Sequence, residues 1–596
     1  MTATWAPKID VAADLKNAAY TIEVPMTTVM ERFLRCGLLI AQLLGPWAFG
    51  CGSVKTNVPG VADPSLSETV QLSATEVQTI IAQAATEATK RRLSVTIAVV
   101  DHTGVVLGVL QMAGATTTTT PSGNGTGGLE KRVIPGSAAA AAISKAGTGA
   151  FFGTQGNAFT PRTASFIVQE HFPPGIDPSP GGPLFGVQFS NLRCSDVDRG
   201  PGKNTAANSN LPLGLSADPG GYPLYKNGVA VGGIGVEGDG LYTLDPGRPD
   251  TEPTTEELIA AAGTLGFSAP VAIRGDSILV TGVQFPFANA EPPDRQATTP
   301  YASFATSGQV IAPPAAGEAS PFVARTLAGT QGTVPQPFAI SFKAGTSPAQ
   351  GGLTIDDVTG IIKNAGRQAD ITRAAIRLPI GTPARVTISV VDASGAVLGI
   401  FRTLDAPIFG FDVSVQKART AAFFSSSSAG SALKNAGFGA YVTAANADGL
   451  ALDGSVAFST RALGFLSQPI FPPGAIAPLQ NGPFSKALGT WSIFNTGLQL
   501  DILLTPALNI LSASCTATRL PSLPNGITIF PGGFPLYKGG VLVGAIGISG
   551  DGVDQDDLIG FVGTTGFEVP TKIRSDNVVV RGVTLPYARF PRYPNL

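Results

Sequence analysis

Pro219 to Gly240 reads PGGYPLYKNGVAVGGIGVEGDG, and Pro531 to Gly552 reads PGGFPLYKGGVLVGAIGISGDG. Each copy is an apolar run, a two-residue turn (Asn227-Gly228 or Gly539-Gly540) and a second apolar run, the pattern of a β-hairpin. In the second run glycines stand where side chains would (Gly232, Gly233 and Gly235; Gly544 and Gly547). A strand so stripped leaves its backbone open to a helix or a ligand. Gly233-Ile234-Gly235-Val236-Glu237-Gly238 also fits G-x-G-x-x-G, but the residues after it, DGLYTLDPGRPDTEP, cannot open a helix, and the second copy has Ala545 at the first glycine. A dinucleotide site is rejected on those grounds.

The repetition extends outward from this hairpin in the same order. LSATEVQTIIAQAATEA from Leu72 pairs with LTIDDVTGIIKNAGRQA from Leu353, each a Ser/Thr start followed by apolar residues at helical spacing. VTIAVVDHTGVVLGVL (Val95 to Leu110) pairs with VTISVVDASGAVLGIF (Val386 to Phe401), two β-branched runs around a D-x-x-G turn. AISKAGTGAFF and SVQKARTAAFF align Lys145 with Lys417; their small residues predict a helix close against the sheet. FTPRTASFIVQEHFPPG and FSTRALGFLSQPIFPPG align Arg162 with Arg461, and both halves close on a GF..P..IR.D motif from Gly266 and Gly566.

The expected organisation is a leader over 1–50, a short linker over 51–70, a first repeat over 71–290, a linker rich in Pro, Ala, Thr and Gly over 291–352, and a second repeat over 353–596. Within the linker, FVARTL and FAISF read as strands pinned to a domain. Long insertions, 176–217 and 475–530, precede the glycine hairpins. Loops of that length inside a compact domain cover pockets or make contacts.

As a set, these blocks resemble the GlcG/HbpS family of haem-binding-type domains, also called PduO C-terminal-like. The resemblance covers both repeats but not the leader, the linker or the insertions. It implies an α+β fold of two tandem profilin-like domains, each a roughly five-stranded antiparallel sheet flanked by helices. Because such domains oligomerise, it also implies that the two copies pack as a pseudo-dimer within one chain, with further homo-oligomers open. Where the family has R-[MT]-x-x-A after the first hairpin, the second repeat has Arg402-Thr403-Leu404-Asp405-Ala406. The first has Gln111-Met112-Ala113-Gly114-Ala115 and then a Thr/Gly loop. Haem, or another small anionic ligand, is the implied cofactor or cargo.

The chain has 596 residues, 43% hydrophobic and 13% charged, and a formal net charge of -2. It lacks the basic surplus that neutralises phosphates, so nucleic acid is not an expected partner. From Met30, MERFLRCGLLIAQLLGPWAFGC has the layout of a secretory signal, too short and interrupted for a spanning helix. Ala48-Phe49-Gly50-Cys51 resembles a bacterial lipobox, which makes Cys51 a candidate lipidation site and the protein extracytoplasmic: periplasmic, envelope-bound or secreted, touching membrane only through that anchor. Past Cys36 and Cys51, Cys194 and Cys515 remain, as a disulfide or as two free thiols. No CxxC occurs, and no metal site is expected.

The histidines are His102, in the turn of the first hairpin and expected to be solvated there, and His171 in a loop; each is a candidate axial ligand. Neither recurs in the other repeat, so histidine catalysis cannot be common to both. Asp101 and Asp392 recur as turn caps. GDGVDQDD (Gly550 to Asp557) lacks the closing Glu of a calcium loop and reads as capping for the last helix. The recurrent cations Lys145, Lys417, Arg162 and Arg461, with Arg402 in the second repeat, are the candidate ligand-binding residues. Their alternative role is pairing with acids across the domain interface. The functional reading is a small-ligand-binding protein; an interaction scaffold is the alternative, and an enzyme of small organic acid or corrinoid chemistry the third.

Overall fold

The computed structural model describes residues 69–596 apart from 124, 135, 170–171, 173–181, 193–194, 196, 198–210, 245–250, 281, 296, 346–350, 476–479 and 509–518. The leader, Cys51, His171, Cys194 and Cys515 lie outside the described residues. No helix among the described residues is long and apolar enough to cross a membrane.

The first half starts with helix α1 (Ala74–Lys90), capped by Ser73 and Glu76 as the sequence predicts. The first hairpin is β1 (Thr96–Asp101) and β2 (Val106–Gln111). Helix α2 (Ser137–Phe151) follows, then the glycine hairpin β3 (Gly221–Lys226) and β4 (Val229–Glu237), helix α3 (Thr255–Gly263) and strand β5 (Gln309–Ala312). The sheet order is β3-β4-β1-β2-β5, antiparallel throughout.

The segment after it supplies β6 (Phe322–Leu327) and β7 (Thr330–Pro335). The second half then runs α4 (Ile355–Ile371), β8 (Val386–Asp392), β9 (Val397–Thr403), α5 (Gly410–Phe424), α6 (Ala429–Asn435), α7 (Gly439–Ala447), β10 (Gly533–Lys538), β11 (Val541–Gly550) and α8 (Val553–Gly563). Its sheet order is β6-β7-β9-β8-β11-β10. Corresponding strands occupy corresponding places in the two sheets. The ladders slip at matching points too: Val99/Val100 and Val390/Val391 in the first hairpins, Leu224/Tyr225 and Leu536/Tyr537 in the glycine hairpins.

FVARTL is a strand, as expected, but FAISF is not: Gln336–Phe338 is a 3₁₀ turn that drops Phe338 and Phe342 into the core. The stretch read as linker also gives each sheet an edge, β5 to the first and β6-β7 to the second.

The central strands are buried on both faces because helices cover both. In the first half Ile97 and Val99 pack with Val77, Ile80 and Ile81 of α1, while Ala98 and Val100 face α2. The stripped glycines make this approach possible. A Cβ at Gly235 would strike the carbonyl of Ala142, and one at Gly547 that of Ser414, corresponding positions on α2 and α5. The glycine hairpin is therefore a seat for a helix.

Both halves belong to one compact unit, and the α2 side of the first is continuous with the core of the second. Phe152 packs on Phe409 with ring centroids 4.7 Å apart, and Phe185 stacks on Trp491 at 5.2 Å. Contacts of this kind contribute about 0.5–1.5 kcal/mol each beyond the area they bury. Polar groups lock the register: the Gln155 N–H donates to Asp405, the Asn157 amide to the Ile376 carbonyl, and the Asn191 N–H to Asp412. Arg377 bridges Asp405 and Asp551 at 2.6 and 2.5 Å beneath this contact.

Candidate functional site

Lys145 sits on α2 with no solvent exposure, facing the start of α3. Its ammonium meets Glu256 at 2.5 Å, Asp218 at 2.8 Å and Glu237 at 3.1 Å. These three carboxylates lie close enough to hold a metal ion, but the Lys145 ammonium already stands among them. Burial alone would lower the lysine pKa; the three acids outweigh it and hold the ammonium well above its usual range. Burial pushes the acids up, Asp218 to about 7 and Glu237 to about 9.

Lys417 occupies the matching place on α5 and is equally buried. Its partners are Asp556 at 2.8 Å and the Ile548 carbonyl at 2.6 Å. Ser549 stands where the first half has Glu237, and Phe530 where it has Asp218, with the Phe530 ring centroid 5.0 Å from the ammonium. With one acid in place of three, burial prevails and the Lys417 pKa is lowered; burial likewise raises Asp556 to about 6.

The recurrent arginines extend the same joint. Arg162 donates from Nε and Nη2 to Glu257, both at 2.7 Å, and Arg461 pairs with Asp557 and, at 2.6 Å, with Asp554. These four cations thus bind the first turn of the last helix of their own half. Each of these contacts stays within its own half. The acidic GDGVDQDD run accordingly serves as partner rather than cap: Gly552 is the N-cap of α8 and makes no side-chain cap bond. Arg402, on β9, is buried; its Nε donates to the Ala406 carbonyl at 2.8 Å, and its guanidinium lies over Phe322.

His102 is not solvated. It is buried, with Nε2 donating to the Gly153 carbonyl at 3.0 Å across the end of α2. Asp101 and Asp392 cap their turns alike, each Oδ1 accepting from the N–H groups two and four residues on.

At the place corresponding to His102 the second half has Ala393, and there the structure opens. A cavity of about 410 Å³ lies between the Asp392–Gly395 turn, the end of α5 and the segment around Ser522. Arg419, itself only 4% exposed, lines it beside Phe423 and the hydroxyls of Ser394, Ser426, Ser428 and Ser522. Arg419 donates to the Gly395 carbonyl and to Asn525 Oδ1 at 2.8 and 2.9 Å, which fixes the guanidinium at the cavity wall.

One wall belongs to an insertion not anticipated from the sequence. Between the Phe-Phe pair and the next matched block the first half has only Gly153–Ala158; the second runs from Ser425 to Ala457 and contains α6 and α7. The spacing of the matched blocks carries that signal. The two insertions that were anticipated converge elsewhere, around a closed apolar pocket between the halves lined by Gln188, Phe189, Leu213, Leu215, Ile493 and Phe494. At about 20 Å³ it has room for about one water.

Residues 501–563 match the HbpS-like family model, described as haem degrading protein HbpS-like. This HbpS-like segment contains β10, β11 and α8, so the second copy of the glycine hairpin lies inside it. No curated protein matches the chain. Three solved structures are similar to it: a PduOC:haem complex (18% identity over 37% of this chain and 98% of that one, TM-score 0.18), ORFY of Klebsiella pneumoniae (17%, 37% and 93%, 0.19) and a double mutant of HbpS from Streptomyces reticuli (15%, 39% and 99%, 0.18). At these TM-scores the likenesses carry no argument about fold or ligand.

Proposed function

We propose that the protein is an extracytoplasmic small-ligand-binding protein, built from a duplicated HbpS-like domain whose copies dock as a pseudo-dimer, with the ligand held in the second half. The observation that carries this reading is the 410 Å³ cavity at Arg419, in the volume range of small-molecule sites, set against the same place in the first half, where His102 crosses to Gly153. A guanidinium, four hydroxyls and one aromatic ring suit a small organic anion with a flat or apolar body. The shared sheet order and matched bulges support the duplication, and the Met30–Cys51 leader supports export and anchoring at Cys51.

Haem is the ligand that the HbpS-like segment suggests. Among the described residues, the cavity lining contains no His, Cys, Met or Tyr to ligate iron, and His102 is already engaged in the other half. These residues do not fit an axially ligated haem, so the proposal rests on anion recognition.

Calorimetric titration of the purified protein with haemin and with a panel of small aromatic and aliphatic carboxylates tests it. A carboxylate should bind with one site per chain, and Ala393→His, which carries the first half's plug into the second, should abolish that binding without loss of thermal stability. Undiminished binding by Ala393→His would remove the cavity from the account. Absence of any binding would leave the scaffold reading.

A further inference from the structure

The row of side chains that crosses the sheet beneath the start of α5 differs between the halves in a way that the open cavity does not explain. In the first half it runs Gln111, Thr96, Glu237 across adjacent strands; in the second it runs Arg402, Thr387, Ser549 in the same register. Gln111 Nε2 donates to Thr96 Oγ1 at 3.4 Å, and Glu237 sends its carboxylate to Lys145. In the second half Thr387 Oγ1 and Ser549 Oγ are at most 1% exposed and have no hydrogen-bond partner. Two buried hydroxyls without partners require an explanation, since burial takes from each the hydrogen bonds that water would supply.

The charges changed in the same place. Relative to the first half, the row has gained a guanidinium (Gln111 to Arg402), while the lysine site has lost two carboxylates (Glu237 to Ser549, Asp218 to Phe530). Lys417 keeps one acid, Asp556, and nearby Asp405 and Asp551 are committed to Arg377. Serine is shorter than glutamate by roughly the volume of a formate ion, and what was removed is itself a carboxylate.

We infer that the second half binds a compact oxyanion of the carboxylate class, formate- or acetate-sized, in the place that the Glu237 carboxylate fills in the first half, held by Lys417, Ser549 and Thr387. Arg402, on the far side of Thr387, adds a favourable field. The site is separate from the open cavity, whose wall is Arg419, and does not depend on the identity of the ligand there.

The test uses intact protein and ¹³C-labelled formate. A distinct bound resonance is expected, together with a thermal midpoint that rises with sodium formate relative to sodium chloride at equal ionic strength. Ser549→Glu, which supplies the missing carboxylate covalently, should fold with an equal or higher midpoint and weaken formate binding at least tenfold; should it fail to fold, Ser549→Ala should still weaken binding severalfold. Ala393→His should leave the formate response unchanged. No bound resonance, a response equal in chloride, or full formate binding by Ser549→Glu or Ser549→Ala would overturn the inference. Loss of the formate response in Ala393→His would also overturn it, placing the anion in the open cavity and leaving the ligand-binding reading intact.

Discussion

Lys145 and Lys417 sit on matching helices, face matching sheets and are equally buried, yet they live in opposite electrostatic surroundings. Three acids around Lys145 outweigh its burial and raise its pKa; one acid, a carbonyl and a phenyl ring around Lys417 do not, and its pKa is lowered. Sheet order and strand register correspond at the two places, and the charge difference lies in two side chains, Glu237 against Ser549 and Asp218 against Phe530. A fold that tolerates both shows that the joint between sheet and last helix fixes a lysine but not how its charge is balanced.

The largest expected effect comes from removing the first of these lysines. Lys145→Met would strand three carboxylates without their counter-ion, and loss of one partner from a buried ionic group costs about 3–5 kcal/mol. Lys417→Met strands one carboxylate, Asp556, in place of three, so its cost should be smaller. Equilibrium denaturation of the two variants at pH 7 decides; equal losses would erase the contrast.

Arg377→Met should come next. It uncouples Asp405 and Asp551 beneath the contact between the halves, at a cost of about 3 kcal/mol. Small-angle scattering should show a larger radius before global unfolding if the halves depend on this bridge, and an unchanged radius would assign the docking to Phe152, Phe409, Phe185 and Trp491 instead.

The pH response separates the halves by direction and window. Glu237 has a folded pKa of about 9, above its ordinary 4.5, so the native state holds its proton more tightly than the unfolded chain does. Its contribution is complete below about pH 4.5 and is lost as pH rises through 9. Asp556, raised only to about 6, loses its share by about pH 7. Thermal midpoints of the wild type should therefore decline between pH 7 and 9, and Glu237→Gln should flatten that decline while Asp556→Asn leaves it in place. An alkaline decline that persists in Glu237→Gln would sink this assignment.

The smallest effect is expected at His102. His102→Ala removes the hydrogen bond to the Gly153 carbonyl and some packing, about 1–2 kcal/mol, and opens in the first half the place that is already open in the second. Because Gly147 stands there in place of Arg419, the opened site should not bind the anion; a second equivalent of ligand in calorimetry would show that the cavity, rather than the guanidinium, selects it.

Much of the architecture was legible in the residues. Val95–Leu110 and Val386–Phe401 declared hairpins because β-branched runs around D-x-x-G turns have few other uses, and Asp101 and Asp392 cap those turns as read. The glycines of 232–235 and 544–547 declared a close approach, and a helix makes it. The partners of the lysines were not legible. Glu256 lies far from Lys145 along the chain, and nothing local distinguishes an acid that will face a buried ammonium from one in a solvated helix turn. The burial of His102 was not legible for the same reason: its turn is polar in sequence, but α2 ends directly beneath it.

By itself, the sequence determined the repeated order of elements, their hairpin and helix types and the helix-facing strands, because periodicity, turn chemistry and the absence of side chains act over a few residues. Only the tertiary structure decided that Lys145, Lys417, Arg162 and Arg461 pair with acids of their own halves, that linker strands complete both sheets, and that the cavity opens at Arg419 and not at the recurrent cations. Burial makes charge pairing obligatory, but which acid answers which base depends on where distant segments of the chain come to rest, and that is a property of packing.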